Sequence, residues 1–388
     1  MRVLAAFDKF KDSISAPQAC EIAAGAIASV GRGWEADACP LADGGEGFAD
    51  ILTRAAGGSE SRVAVTGPRG DPVTAGFGLI SLARIPVGAR ARLGPVAGGP
   101  GSSIAVVEMA AASGLVLLAP WVRDPLRASS IGTGQVIRAA ARSGARAILL
   151  GVGGSATHDL GLGALGALGI EFLDEAGGRI DSPVPADWSR IRSLEGRIAV
   201  AIPPILIACD VENPLLGPDG ALAVYGPQKG LMPADAPRLE AESARMAALV
   251  CRHFGRPESL AAERGAGAAG GIAFGLMAGA GARLLAGFDL VASWIDLDAR
   301  LAAADIIVTG EGRFDDSSLS GKGPGTVVRR ALELRKPVHV FAGQVSLGRQ
   351  VPGLFTHSIT PPGMALPEAL AKTPDLLSAA VRRVFQNP

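Results

Sequence analysis

The chain has 388 residues, 48% of them hydrophobic, and its 37 Lys plus Arg equal its 37 Asp plus Glu. That length exceeds one ordinary core and predicts two domains. Charge balance leaves no global field to hold nucleic acid or an anionic membrane, so any anion must be held by a local site.

RVLAAF (2–7) predicts a strand, and residues 17–29 the helix after it, with Pro17 in its first turn. Residues 61–108 carry short strands between Gly/Pro-rich turns, which predicts a separate β-rich unit or insertion. A helix over 129–144 leads into the strand RAILLG (146–151), and residues 171–285 mix a strand, turns and two helices. PILIACD (204–210), DIIVTG (305–310) and PVHVFAG (337–343) predict three further strands. The uncharged stretch 265–282 approaches membrane-spanning length, but seven of its 18 residues are glycine. Gly267, Gly271, Gly275 and Gly279 recur every four residues, so it reads as a buried helix built for close backbone packing.

The alternation predicts an α/β fold with two domains. One is discontinuous, doubly wound and Rossmann-like or flavodoxin-like, over 1–60, 126–170 and 286–388. The second is a smaller α/β domain with a β-rich portion, over 61–125 and 171–285. Cys20, Cys39, Cys209 and Cys251 are too scattered for zinc or a disulfide framework, and the N-terminus meets Asp8 and Lys9 before any signal core. A reduced, cytoplasmic protein is expected.

Ligands of doubly wound sheets bind beyond the carboxyl ends of the strands. Those ends are polar here, and one shared sheet would gather them on one edge. They carry Asp8, Lys9, Lys11 and Ser13; GVGGSATHD (151–159); Asp210 and Asn213; Glu311, Arg313, Asp315 and Lys322; and Gln344. The loop DGGEG (43–47) adds Asp43, Gly44, Gly45 and Glu46. Glycines with Ser and Thr let phosphate approach, cations neutralise it, and carboxylates suit Mg²⁺, the parts that phosphoryl transfer needs.

Each part has a plainer reading: the glycines as a turn, Asp8 and Asp210 as caps, Glu311 to Asp315 as a solvated loop. Two Gly-x-Gly-x-x-Gly matches, at Gly161 and Gly265, lack the strand-turn-helix context of a dinucleotide site, and SGKGPG is not a Walker A sequence. Of four histidines only His158 falls in a candidate site.

Seven motifs in order make the chain resemble the type I glycerate kinases. They are DKFKDSISA (8–16), LADGGEG (41–47), GVGGSATHD (151–159), ACDVENPLLGPDGA (208–221), YGPQKG (225–230), GAGAAGG (265–271) and VTGEGRFDDSSLSGKGP (308–324). The resemblance implies a Rossmann-like or flavodoxin-like domain, a second α/β domain and an active site in the cleft between them. It also implies D-glycerate, ATP and Mg²⁺, with 2-phosphoglycerate the usual product. The chain departs from the family pattern at Asp12 and Leu160, where glycine is usual, and at His158, where asparagine is frequent.

On this reading Gly153, Gly154, Ser155 and Thr157 line the phosphate path at the start of a helix. Lys11 and Lys322 neutralise transferring charge, and Arg313 holds a carboxylate or phosphate. Asp210 and Glu311 bind Mg²⁺, and Asp8 or Asp43 orients or deprotonates the hydroxyl. Ser13, Gly44, Gly45, Glu46 and Asn213 complete the expected substrate or phosphate site. Alternatives are a kinase of another small hydroxy acid, an NAD-dependent oxidoreductase, and a non-catalytic sensor.

Overall fold

The computed structural model describes every residue except Arg32, Ala97, Pro100, Ser182, Ala199, Val200, Lys322, Asn387 and Pro388, and the side chain of Ser320. The chain forms two compact units, Met1–Asp43 with Val291–Pro388, and Gly44–Leu290. Its strands are β1 Arg2–Phe7, β2 Glu35–Ala38, β3 Ser59–Thr66, β4 Pro72–Ser81, β5 Ser103–Glu108, β6 Ile148–Gly151, β7 Ile170–Leu173, β8 Ser193–Gly196, β9 Ile205–Ala208, β10 Arg283–Leu285, β11 Ile306–Asp315, β12 Val338–Ser346 and β13 Leu354–Ser358.

The first unit is a five-stranded, wholly parallel sheet in the order β2-β1-β11-β12-β13. Counted within the unit this is 2-1-3-4-5, the flavodoxin order, with its switch point between β1 and β11. Val3, Ala5 and Phe7 of β1 pack with Val308 and Phe341 against the helices Ala16–Ala28 and Leu366–Gln386. Ser15 and Gln18 form a capping box at the first of these, with Pro17 in its opening turn, so the chain enters that helix where the sequence predicts.

The second unit carries a six-stranded mixed sheet, β10-β9-β6-β5-β4-β3, and the two-stranded ribbon β7-β8. β5, β6, β9 and β10 run parallel, while β3 and β4 add as antiparallel neighbours. One core gathers the sheet with the helices Ile131–Arg142 and Ala268–Ala280, and a second gathers Leu160, Trp188, Met246 and Phe274.

Several expectations are corrected. The flavodoxin-like unit is the smaller one. Residues 44–60, 126–170 and 286–290 belong to the other unit, since β6 pairs with β5 and β9 and not with β1 or β11. The β-rich segment 61–108 is no separate insertion, because β4 pairs with β5 and continues the same sheet. The polar strand ends therefore belong to two sheets: β1, β11 and β12 in one, β6 and β9 in the other.

The stretch 265–282 is largely buried, but it is no single helical stripe: Ala269, Gly270 and Gly271 have left-handed backbone that breaks the helix Ala268–Ala280 near its start, so Gly267 and Gly271 lie outside the regular helix that carries Gly275 and Gly279. A Cβ on Gly275 would lie 2.3 Å from the Leu160 carbonyl oxygen, and one on Gly267 2.2 Å from that of Pro214. Among the described residues no helix is long and apolar enough to cross a membrane.

Both positions where glycine would be usual have left-handed backbone, Asp12 at φ 61° and Leu160 at φ 54°. An L side chain pays roughly 1–2 kcal/mol there, less for Asp, which tolerates this region. Leu160 is fully buried, so its packing offsets the strain. Leu160→Gly should therefore destabilise by about 2–3 kcal/mol, the loss of a buried leucine less the relieved strain. Asp12→Gly should be neutral or slightly stabilising. Thermal unfolding of the two variants checks both signs.

Candidate active site

In the flavodoxin-like unit the chain leaves β1 at Asp8, whose amide donates to the Gly310 carbonyl on β11 at 3.0 Å. Asp8 therefore stands at the switch point. Burial, then the charges of Asp43 and Glu311, push its carboxyl up to about 7, only partly offset by the Lys9 amide donating to it at 2.7 Å. Gly323, at φ 65°, lets the following loop pass close, since a Cβ there would sit 3.3 Å from Asp8 Oδ2.

Glu311 is half-buried on β11, and burial raises its carboxyl above the ordinary range. Asp43, Lys11 and Arg313 are exposed, and Arg313 Nε pairs with Asp315 Oδ2 at 3.2 Å. Asp315 in turn caps the short helix Asp316–Ser320 through the Ser317 and Ser318 amides. Ser13 donates to the Leu370 carbonyl at 2.6 Å, which gives it a structural role. Lys322 lies outside the described residues.

In the larger unit five of the seven motifs meet. The Gly153 amide donates to the Gly44 carbonyl at 2.9 Å, and a Cβ on Gly153 would lie 2.5 Å from Gly45 Cα, so the loops 44–47 and 151–154 press backbone on backbone. A Cβ on Gly154 would reach Glu46 Oε1 at 3.2 Å, and one on Gly44 would reach the Ala208 carbonyl at 2.7 Å. Gly270, at φ 71°, seats the GAGAAGG turn against the Thr157 carbonyl, and the Gly267 amide donates to the Asn213 carbonyl at 3.0 Å.

The expected helix start is not there. The chain runs as loop from Val152 to Leu160, and the seven-residue helix Leu162–Leu168 begins only beyond it. The amides of Gly161 and Gly163 are taken by Asp159, whose buried carboxylate also accepts the Ser130 amide at 2.7 Å and hydroxyl at 2.8 Å. That also removes the first Gly-x-Gly-x-x-Gly match as a pyrophosphate cradle, because two of its amides are committed.

Beneath the loop lies a residue to which the motif reading gave no role. Lys229 is only 3% exposed, and its Nζ donates to Ser155 Oγ at 2.9 Å and to the Thr157 carbonyl at 2.6 Å. Burial lowers its ammonium to about 7, opposed by the charge of Asp159. His158 is buried beside it, hydrogen-bonded to Ser243 at 3.2 Å, and burial followed by the Lys229 charge lowers its imidazole to about 3, so it is neutral. Thr157 Oγ1 is buried with no hydrogen-bond partner.

Asn213 is tied down, donating to the Asp219 carbonyl at 2.8 Å and accepting from Tyr225 at 2.7 Å. Asp210 accepts the Gly287 and Phe288 amides at 3.0 and 2.7 Å, one on each oxygen, and so anchors the start of the helix Gly287–Trp294. Asp210→Ala should cost about 1–2 kcal/mol through those orphaned amides, readable as a lowered unfolding temperature. Among the described residues no three His, Cys, Asp or Glu side chains form a metal cage. Mg²⁺ typically uses one or two carboxylates together with waters and substrate phosphates, a role open to Glu311 beside Asp8 and Asp43.

Fold and site thus define an α/β protein with a carboxylate near neutrality at a flavodoxin-type switch point and a glycine loop seated on a buried lysine. The Glycerate kinase family profile matches residues 3–387, and the chain belongs to that family. It is 35% identical to a glycerate kinase of Bacillus subtilis (strain 168) over 99% of this chain and 97% of that one. It is also 35% identical to the glycerate 2-kinase of Escherichia coli (strain K12), over 89% and 86%. A solved chain from Salmonella typhimurium LT2, named "putative glycerate kinase 2", superposes with a TM-score of 0.74 at 35% identity, covering 100% of this chain and 96% of that one.

Proposed function

We propose that the protein transfers the γ-phosphate of ATP to a hydroxyl of D-glycerate, with 2-phosphoglycerate as product. The acceptor follows from membership of the glycerate kinase family. The observation that carries the chemistry is Asp8, held at the switch point with its carboxyl near 7, where a general base works best at neutral pH. Asp8 is therefore favoured over the exposed Asp43 as the group that takes the hydroxyl proton.

Bound Mg²⁺ would neutralise charge on the phosphates, and Glu311 is its proposed ligand in this unit. The residues fit a site of one or two carboxylates: the charges of Asp43 and Glu311 raise the Asp8 carboxyl, and a divalent cation would relieve that repulsion. Lys11 and Arg313, both exposed, are proposed to meet phosphate or the glycerate carboxylate. In the larger unit Gly153, Gly154, Ser155 and Thr157, backed by Gly44, Gly45 and Glu46, are proposed to receive phosphate through loop amides and hydroxyls. Asp210 keeps a proposed part in Mg²⁺ binding alongside its anchoring of the helix Gly287–Trp294.

A cytoplasmic location belongs to the same proposal, supported by four free cysteines. ADP release from Mg-ATP, measured with D-glycerate, L-glycerate and a panel of other hydroxy acids, tests the acceptor. Turnover that depends on D-glycerate is expected, and turnover with another acid alone would reassign the substrate.

A further inference from the structure

The Lys229 ammonium is a buried cation whose two hydrogen-bond partners among the described residues both lie in the glycine loop. Burying a lysine is costly, and a loop needing only support would be served by a neutral donor. Among the described residues no carboxylate comes within ion-pair distance of Nζ. Asp159, the nearest charge to act on it, is already committed to the amides of Ser130, Gly161 and Gly163 and the Ser130 hydroxyl.

Two of the three ammonium protons go to Ser155 Oγ and the Thr157 carbonyl, and the third has no partner among the described residues. Thr157 Oγ1, in the same loop, is a second buried donor without an acceptor. The loop thus holds unspent donors and a positive charge without an ion pair among the described residues, a combination that an anion would complete.

How Lys229 is held there supports the same view. It sits in the turn Pro227–Lys229, and Gly230, at φ 91°, passes so close to the Arg123 backbone that a Cβ would lie 2.3 Å from its carbonyl oxygen. On the other side Leu115 donates its amide to the Gly154 carbonyl at 2.8 Å, and Ala156 donates to that of Ser113 at 2.9 Å. The loop is clamped by backbone on one side and by the ammonium on the other. His158 faces the cation in its neutral form, and Asp159 is the carboxylate whose charge acts on it among the described residues.

We infer that Lys229 is a positioning residue for phosphate binding, clamping Ser155 and Thr157 while placing a positive charge beneath the loop. This rests on the reading of the loop as a phosphate site. Removing the proton and removing the side chain then have different consequences. A neutral amine still donates two hydrogen bonds, so the clamp persists at high pH while the attraction for phosphate is lost.

The test is calorimetric binding of Mg-ADP between pH 6.5 and 9 to the intact protein, to Lys229→Met and to Lys229→Arg, with turnover on D-glycerate measured in parallel. Wild-type affinity is expected to weaken about tenfold as pH rises through the lysine's titration near 7. Lys229→Met should bind at least tenfold more weakly at pH 6.5 and without that pH dependence. Lys229→Arg, charged throughout the range, should restore most of the binding and remove the alkaline weakening.

Wild-type affinity that stays flat across the range overturns the inference without recourse to any variant. So does a Lys229→Met protein that is less stable yet binds like wild type, which would leave the lysine a purely structural role. Lysine-dependent Mg-ADP binding without glycerate turnover would uphold the inference and refute the acceptor. Absence of Mg-ADP binding by the wild type refutes both.

Discussion

Asp8→Asn should lower kcat by about 10²-fold or more while making the folded protein more stable above pH 7. The first effect follows from removing the general base. The second follows from what burial does to the carboxyl. In the unfolded chain Asp8 releases its proton near the model value of 3.8, whereas in the fold it holds it until about pH 7. Between those limits the native state binds more protons than the unfolded one, so stability falls as pH rises through that window. Asparagine, nearly isosteric and always neutral, escapes that penalty.

Thermal unfolding at pH 4 and pH 8 together with steady-state rates gives both readings. A variant with a normal kcat would remove Asp8 from the proton transfer. One less stable than wild type at pH 8 would contradict the placement of Asp8 in a confined, acid-flanked position. For the wild type, kcat/KM should climb with pH toward an apparent pKa near 7, as expected when the base must be ionised in the free enzyme.

The second large effect is expected from one methyl group. In Gly153→Ala the new Cβ would lie 2.5 Å from Gly45 Cα and 2.8 Å from the Gly45 nitrogen, and both obstacles are backbone that cannot rotate away. The two loops must part, which stretches the 2.9 Å hydrogen bond from the Gly153 amide to the Gly44 carbonyl. Overpacking of this kind costs about 1–3 kcal/mol. Because the displaced segment is the proposed phosphate loop, KM for ATP should rise about tenfold or more while KM for D-glycerate changes less. A variant with wild-type unfolding temperature and KM would show that the loops are not packed this closely.

Much of the chain was legible before the structure. The apolar runs ending at Phe7 and Gly310, and the run 337–343, form neighbouring parallel strands, and the order of the first unit follows the flavodoxin rule. Gly275 and Gly279 were readable as close-packing positions, since a Cβ there would meet the Leu160 carbonyl and the Leu165 side chain, whereas Gly267 and Gly271 fall in the turn before the regular helix and not on its stripe. The motifs at 41–47, 151–159, 208–221, 225–230 and 265–271 did come together.

What was not legible is equally physical. A buried strand's composition does not say which sheet it joins, so β6 was assigned to the flavodoxin-like domain although it lies in the other sheet. A Gly-Gly-Ser after a strand usually opens a helix. Here the left-handed Leu160 and the amides drawn to Asp159 keep the chain as loop until Leu162. Lys229 stood in a Pro- and Gly-rich turn, where a lysine normally reads as solvated. Its burial arises from Gly230 passing against the Arg123 backbone, a contact remote in sequence. The glycine after the proline-lysine turn was the available signal.

The central claim, phosphoryl transfer from ATP to glycerate, is tested most directly by following Mg-ATP and D-glycerate with the protein by ³¹P NMR. Loss of the ATP γ-phosphate signal with matched growth of ADP and the 2-phosphoglycerate resonance is the predicted result. ATP left intact, or ADP formed with free phosphate and no phosphomonoester, would contradict it.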